Sequence, residues 1–143
     1  YMGLDSLEPF FKYQDKFNFV LGLTSNPGSK DFEELPLKNN TTLASTVIQT
    51  LSHWNKTYQN IGVVVGATDN KLTEARNIDP DLLFLIPGVG KQGGTYETAY
   101  NAGKNLTDLA LINVSRGISG AVKNKQSIKT DINDAIQAII KPL

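Results

Sequence analysis

The densest chemistry in this sequence lies just after Pro87, where Gly88, Gly90, Gly93 and Gly94 are interrupted only by Val89, Lys91 and Gln92. Glycine permits φ > 0 and lets the backbone approach a ligand closely, so successive N–H groups can converge on one concavity. Such a nest suits a phosphate, although a glycine-rich connection also serves as a plain tight turn, and spacing alone leaves both readings open. Ser115-Arg116-Gly117 offers a second feature of this kind. A guanidinium presents a planar fork to phosphate oxygens, with a surface ion pair as the plainer alternative. Thr24-Ser25-Asn26-Pro27-Gly28-Ser29 places hydroxyls and an amide in a turn-forming context. His53 and Trp54 invite a functional reading, but they fall on a helical apolar repeat, so packing accounts for them. A catalytic base needs a reacting partner within reach, and no such partner is identifiable for His53.

Each of these groups follows a strand. Phe17–Leu23 runs into the Thr24 loop. Ile61–Thr68 is β-branched and nearly uncharged, as a strand covered on both faces should be. Leu82–Ile86 is an apolar run closed by Pro87, which has no N–H for a ladder. Leu109–Val114 leads into Ser115. Helices fall between and around them. Asp5 and Glu8 have the capping-box spacing ahead of Phe10 and Phe11. Leu43, Val47, Leu51, Trp54 and Tyr58 recur at helical spacing, with possible caps from Asn39 to Thr42. A short helix is expected around Leu72–Asn77, ended by Asp79-Pro80-Asp81. Thr95 is expected to cap Tyr96–Ala102, and Gly103 to stop it. Ile128, Ile132, Ala135, Ile136, Ile139 and Ile140 mark a final amphipathic helix.

Four strand–loop–helix units call for a parallel sheet with helical crossovers: a small doubly wound sheet, or part of a (β/α)₈ barrel. Polar residues gathered at the carboxyl ends of the strands favour the barrel, whose sites lie there and whose phosphate commonly sits on the last two loops. A whole barrel takes about 250 residues, so 143 residues correspond to roughly half of one, here the C-terminal half. Alternation puts Phe19, Leu21, Val63, Val65, Leu83, Leu85 and Leu111, or their neighbours one residue along, on the inner face. Fourteen basic residues balance fourteen acidic ones, so no overall field draws nucleic acid or acidic lipid. No apolar run approaches the ~20 residues of a membrane helix. Absence of cysteine excludes disulfides and thiolate chemistry, and a single histidine excludes a histidine-rich metal site. A start at Tyr1, without an initiator methionine, reads as an interior position of a longer protein.

Taken together, Tyr1-Met2-Gly3-x-Asp5-Ser6, Thr24-Ser25-Asn26-Pro27-Gly28, Val64-Val65-Gly66-Ala67-Thr68, Ile86–Gly94 and Asn113-Val114-Ser115-Arg116-Gly117 resemble the orotidine 5′-phosphate decarboxylase family over nearly the whole chain. The resemblance implies a TIM barrel of which residues 1–143 are the C-terminal part of a single domain, and a cofactor-free, metal-free decarboxylation of orotidine 5′-phosphate to UMP. It implies that Ser25 hydrogen-bonds the pyrimidine amide edge and that Gln92 reaches both phosphate and base. Arg116 would bind the phosphate with backbone N–H groups of Gly93, Gly94 and Gly117, and Pro87 would line the pocket beside the departing carboxylate. It further implies a cytoplasmic homodimer. The family's reacting Asp-x-Lys-x-x-Asp network is missing; Asp69, Lys71 and Glu74 lie near one another but follow what resembles the family's sixth strand, without that alternation of lysines and aspartates, so the resemblance assigns no catalytic residue here and implies that the network belongs to an absent N-terminal half. A non-catalytic nucleotide-binding half-barrel and another phosphosugar enzyme of the same superfamily are the alternatives.

Overall fold

The computed structural model describes residues 2–89 and 95–140. Four strands, β1 (Asn18–Leu23), β2 (Ile61–Val65), β3 (Leu83–Pro87) and β4 (Leu111–Asn113), form one sheet in the order β1-β2-β3-β4. Every pairing is parallel. Parallel neighbours in chain order require crossovers of one hand, which puts the connecting helices on a single face of the sheet. Those helices are α3 (Leu43–Tyr58), α4 (Asp69–Ile78) and α5 (Tyr96–Gly103), each packed on the next and on the strands that flank it. Before them come α1 (Leu4–Phe11) and the single turn α2 (Ser29–Phe32); after them come α6 (Arg116–Ser119) and α7 (Ile128–Ile140).

The core lies between the sheet and this helical layer. Ile61, Val63, Val65, Phe84 and Ile86 from the strands meet Ile48, Leu51, Leu72, Ala75 and Ala99 from the helices, all essentially inaccessible to water. Each large side chain so buried stabilises the fold by about 1.5–3 kcal/mol. Val63 and Val65 therefore belong to the helix side and not to the inner face expected of them. The other face of β2 carries Val64, because three branched residues of this strand are needed against α3 and α4. Register sets Leu21, Val64, Leu85 and Leu111 in one row across all four strands. Leu21 and Leu111, at the two edges, are 57% and 47% exposed. At the lower end of this open face the rings of Phe17 and Phe19, 5.1 Å apart, lie over Gly62.

Local chemistry explains most boundaries. Thr42 caps α3 by accepting from Ser45 N–H, and Thr95 caps α5 by accepting from Thr98 N–H. The expected capping box in α1 is absent: Gly3 occupies the N-cap, and Glu8 instead takes the Tyr58 hydroxyl and pairs with Lys12. Gly103 is the last residue of α5, and its reason is packing, since a Cβ there would lie 2.2 Å from Ile86 Cδ1. Buried Asn60 donates from one amide nitrogen to the carbonyls of Phe11, Tyr13 and Lys16, tying the turn after α1 to the start of β2. At the same end of the sheet Arg76 lies 3.6 Å over the Phe84 ring and donates to the carbonyls of Asp79, Leu82 and Gly103. Burial pulls its guanidinium down to about 10, against the opposing pull of Asp79 and Asp81, so it is charged at neutral pH. Among the described residues no helix is long and apolar enough to cross a membrane.

Candidate functional site

The carboxyl ends of the four strands bring the polar loops to one edge. Leu23 is paired with Val65, and Gly66 N–H donates to the Leu23 carbonyl at 2.8 Å. Ser25 then packs directly on Gly66: a Cβ on that glycine would stand 2.5 Å from Ser25 N and 2.9 Å from its Oγ. One strand further on, Ala67 N–H donates to the Pro87 carbonyl at 3.2 Å. Pro87 is in turn the register partner of Asn113, three residues before Arg116. Ser25, Pro87 and Arg116 therefore share an edge, with Ser25 and Arg116 at opposite ends. Adjacent strands are about 4.8 Å apart, so three intervals make roughly 14 Å along the sheet.

On the Arg116 side, Pro87 is half-buried and Gly88 takes φ +98°, a conformation that favours glycine. Gln92, Gly93 and Gly94 lie outside the described residues. Arg116 and Gly117 begin α6, where N–H groups of a first turn have no partner within the helix. The Arg116 side chain is exposed and makes no ion pair or hydrogen bond among the described residues. Its plainer reading as a surface ion pair thus finds no acidic partner there. Thr68 Oγ1, after β2, is buried and has no hydrogen-bond partner among the described residues.

On the Ser25 side, the loop is heavily tied. Thr24 N–H donates to Glu33 Oε2 at 2.6 Å, and Thr24 Oγ1 is 2.9 Å and 3.0 Å from the two Glu33 oxygens. Lys71 Nζ, from the first turn of α4, donates to Thr24 O at 2.8 Å, Ser29 Oγ at 3.0 Å and Glu34 Oε1 at 2.6 Å. Ser29, buried, donates its own hydroxyl to Glu34 Oε1 at 2.7 Å. The Lys71 bond, and after it the Ser29 bond, holds the Glu34 carboxyl below its ordinary pKa.

Sheet order, the glycine-rich third loop and the guanidinium after β4 coincide with one family along most of the sequence. Residues 1–130 match the model of the orotidine 5′-phosphate decarboxylase / HUMPS family. The chain belongs to that family. It is 44% identical over 137 residues to the orotidine 5′-phosphate decarboxylase of Haloarcula marismortui, covering 94% of this chain and 48% of that protein. To the orotidine 5′-phosphate decarboxylase of Dehalococcoides mccartyi strain BAV1 it is 50% identical over 123 residues, covering 82% of this chain and 45% of the relative. Among solved structures, the OMP decarboxylase of Leishmania donovani superposes with a TM-score of 0.75 at 37% identity, covering 97% of this chain and 54% of that one. The chain thus spans about half the length of the curated relatives it matches. Its four parallel strands form about half of the family's TIM barrel.

Away from Pro87 and Arg116, the described residues also form a groove. A volume of about 680 Å³, mostly apolar, lies beside edge strand β1 between Met2, Leu7, Val20, Leu43, Val47 and Trp54. It explains why Leu43, Val47 and Trp54 are only half-buried although they sit on the apolar face of α3. His53 is exposed on that helix, away from the polar edge. The residues that sequence reasoning missed are Glu33, Glu34 and Lys71, whose contacts join positions 5 to 47 apart in the chain. Lys71 was legible only as part of a charged stretch without the reacting network's pattern.

Proposed function

We propose that this chain is the C-terminal part of a single (β/α)₈-barrel orotidine 5′-phosphate decarboxylase domain, supplying the half that binds phosphate and base. The observation that carries the reading is the common edge: in a member of this family, Ser25, Pro87 and Arg116 stand at the carboxyl ends of β1, β3 and β4. Ser25 takes the pyrimidine amide edge, and Pro87 lines the pocket beside the carboxylate. Arg116 takes the phosphate with the N–H groups of Gly93, Gly94 and Gly117, and Gln92 spans phosphate and base. UMP leaves the same site as product.

In the reaction the bond from C6 to the carboxylate breaks, its electron pair stays on C6, and a proton replaces carbon dioxide there. The lysine that gives the proton, and the aspartates around it, belong to the N-terminal half, since residues 1–143 contain no Asp-x-Lys-x-x-Asp. Binding energy from the distant phosphate lowers the barrier only where it is expressed in the transition state. Ordering the site around phosphate and base and excluding water is a physical means of doing so. The open row Leu21–Val64–Leu85–Leu111 and the groove beside β1 are the surfaces on which the N-terminal half closes the barrel. The whole protein, on this reading, is a cytoplasmic homodimer.

Arg116→Ala in the full-length protein tests the assignment. Charge-assisted hydrogen bonds contribute about 1.5–3 kcal/mol, so affinity for UMP should fall by about 2 kcal/mol or more while affinity for uridine barely changes. Ser25→Ala should weaken both ligands alike. Equal losses for UMP and uridine in Arg116→Ala would refute the phosphate assignment, and a loss confined to UMP in Ser25→Ala would place Ser25 at the wrong end.

A further inference from the structure

An ammonium group has three N–H donors, and Lys71 uses three: on Thr24 O, Ser29 Oγ and Glu34 Oε1. No donor is left for a ligand, so a role as a phosphate-binding lysine would require this cluster to be dismantled. What the three bonds do instead is tie both ends of one loop to one point. Thr24 and Ser29 bracket the segment that carries Ser25, and Lys71 stands on the neighbouring unit, just past β2. The remaining polar atoms of Thr24 are taken by Glu33. Within the bracket, Ser29 N–H closes on Asn26 O at 3.0 Å, and Gly66 packs against Ser25 from the β2 side. Thr24 and Ser25 are thus held together by Lys71, Glu33 and Gly66.

We infer that Lys71 is a positioning residue for Ser25: with Glu34 and Ser29 it sets the base-contacting hydroxyl against β2. This rests on the assignment of Ser25 to the base. The ammonium works as a tether between two barrel units, and the partial burial of both partners, with the Lys71 side chain 22% and the Glu34 side chain 35% exposed, limits solvent screening of the pair. The two carboxylates divide the work: Glu34 fixes the lysine, and Glu33 fixes the threonine that the lysine holds.

The test is a double-mutant cycle in the full-length protein, reading kcat/KM on orotidine 5′-phosphate and on phosphate-free orotidine. A displacement of about 1 Å at a positioned group can cost on the order of 10²-fold, so Lys71→Met should lower kcat/KM to that extent on both substrates. Added to Ser25→Ala, the same change should cost no more than about 2-fold, because the group it positions is already gone. Hydrogen exchange should rise in the peptide containing Thr24–Ser29 and stay unchanged in the one containing β3. Glu34→Gln keeps the shape and weakens the tether; it gives the same pattern at smaller size, and decides the matter if Lys71→Met does not fold. Additive losses with Ser25→Ala, or a loss confined to the phosphate-bearing substrate, would overturn the inference while a selective effect of Arg116→Ala left the site assignment standing. A wild-type protein that neither binds UMP nor turns over orotidine 5′-phosphate would remove both.

Discussion

Gly66 is the place where a single methyl group should do the most damage to the site. It follows β2, and its N–H is bonded to Leu23 O, so its position is set by the sheet. An added Cβ would stand 2.5 Å from the backbone nitrogen of Ser25 and 2.8 Å from its Cβ, whereas ordinary contact begins at 3.4 Å. Ser25 must therefore retreat by about 0.9 Å, and a backbone atom cannot swing aside as a side-chain tip can. The retreat is opposed by the bonds from Lys71 and Glu33 to Thr24. Overpacking of this kind costs about 1–3 kcal/mol. The backbone of Gly66 does not require φ > 0, so the lower entropy of an unfolded alanine chain offsets about 0.4–1 kcal/mol of that. Gly66→Ala should then lose about 1–2 kcal/mol of stability. Because the displaced atom belongs to the residue proposed to meet the base, kcat/KM should fall by on the order of 10²-fold. Thermal unfolding and steady-state kinetics on the full-length protein measure the two effects. A Gly66→Ala protein with unchanged or raised stability and full activity would refute the close packing of Ser25 on β2.

Gly103→Ala should destabilise without touching the site, by about 1–3 kcal/mol in denaturant titrations, since its Cβ would meet Ile86 Cδ1 inside the core. Ile86→Val, which removes that δ-methyl, should recover part of the loss when combined with it; a double variant no better than additive would deny the contact. The clamp also carries a pH signature. Lys71, and after it Ser29, lowers the folded-state pKa of Glu34, so its stabilisation is present above the unfolded value of about 4.3 and is lost as pH falls through the folded value. Melting temperatures measured between about pH 3 and 6 should show this acid loss, and in Lys71→Met it should shrink, because the folded pKa moves back toward the unfolded one. Superimposable curves for the two proteins would contradict it.

The architecture was readable because its signals are local. The β-branched run at Ile61–Val65, the apolar run at Leu83–Ile86, the Thr42 and Thr95 caps, and the apolar repeat of α3 each depend on residues within a few positions of one another. What failed to show was anything decided across the chain. Alternation in β2 gave no parity, since Val63, Val64 and Val65 are alike and only packing against α3 and α4 selects which faces the helices. Gly103 resembles a helix stop in sequence, yet its role comes from Ile86, seventeen positions earlier. Asp5 and Glu8 fit a capping box, but Tyr58 claims Glu8. In the candidate site, Arg116 stood out by type and context, and Ser25 by its place in a polar loop after a strand, whereas Pro87 was marked by the family resemblance alone. Lys71 did not, because a lysine near two acids on a helix is ordinary until its three acceptors are seen.

The central claim is that residues 1–143 bind the ends of the nucleotide and that the reacting groups lie elsewhere in a closed barrel. Its most direct test is conversion of orotidine 5′-phosphate to UMP, followed side by side for the full-length protein and for residues 1–143 alone. Turnover is expected from the former and none from the latter, whose row Leu21–Val64–Leu85–Leu111 and groove beside β1 would lack the half proposed to cover them. Turnover by the 143 residues alone, or its absence from the full-length protein, would contradict it.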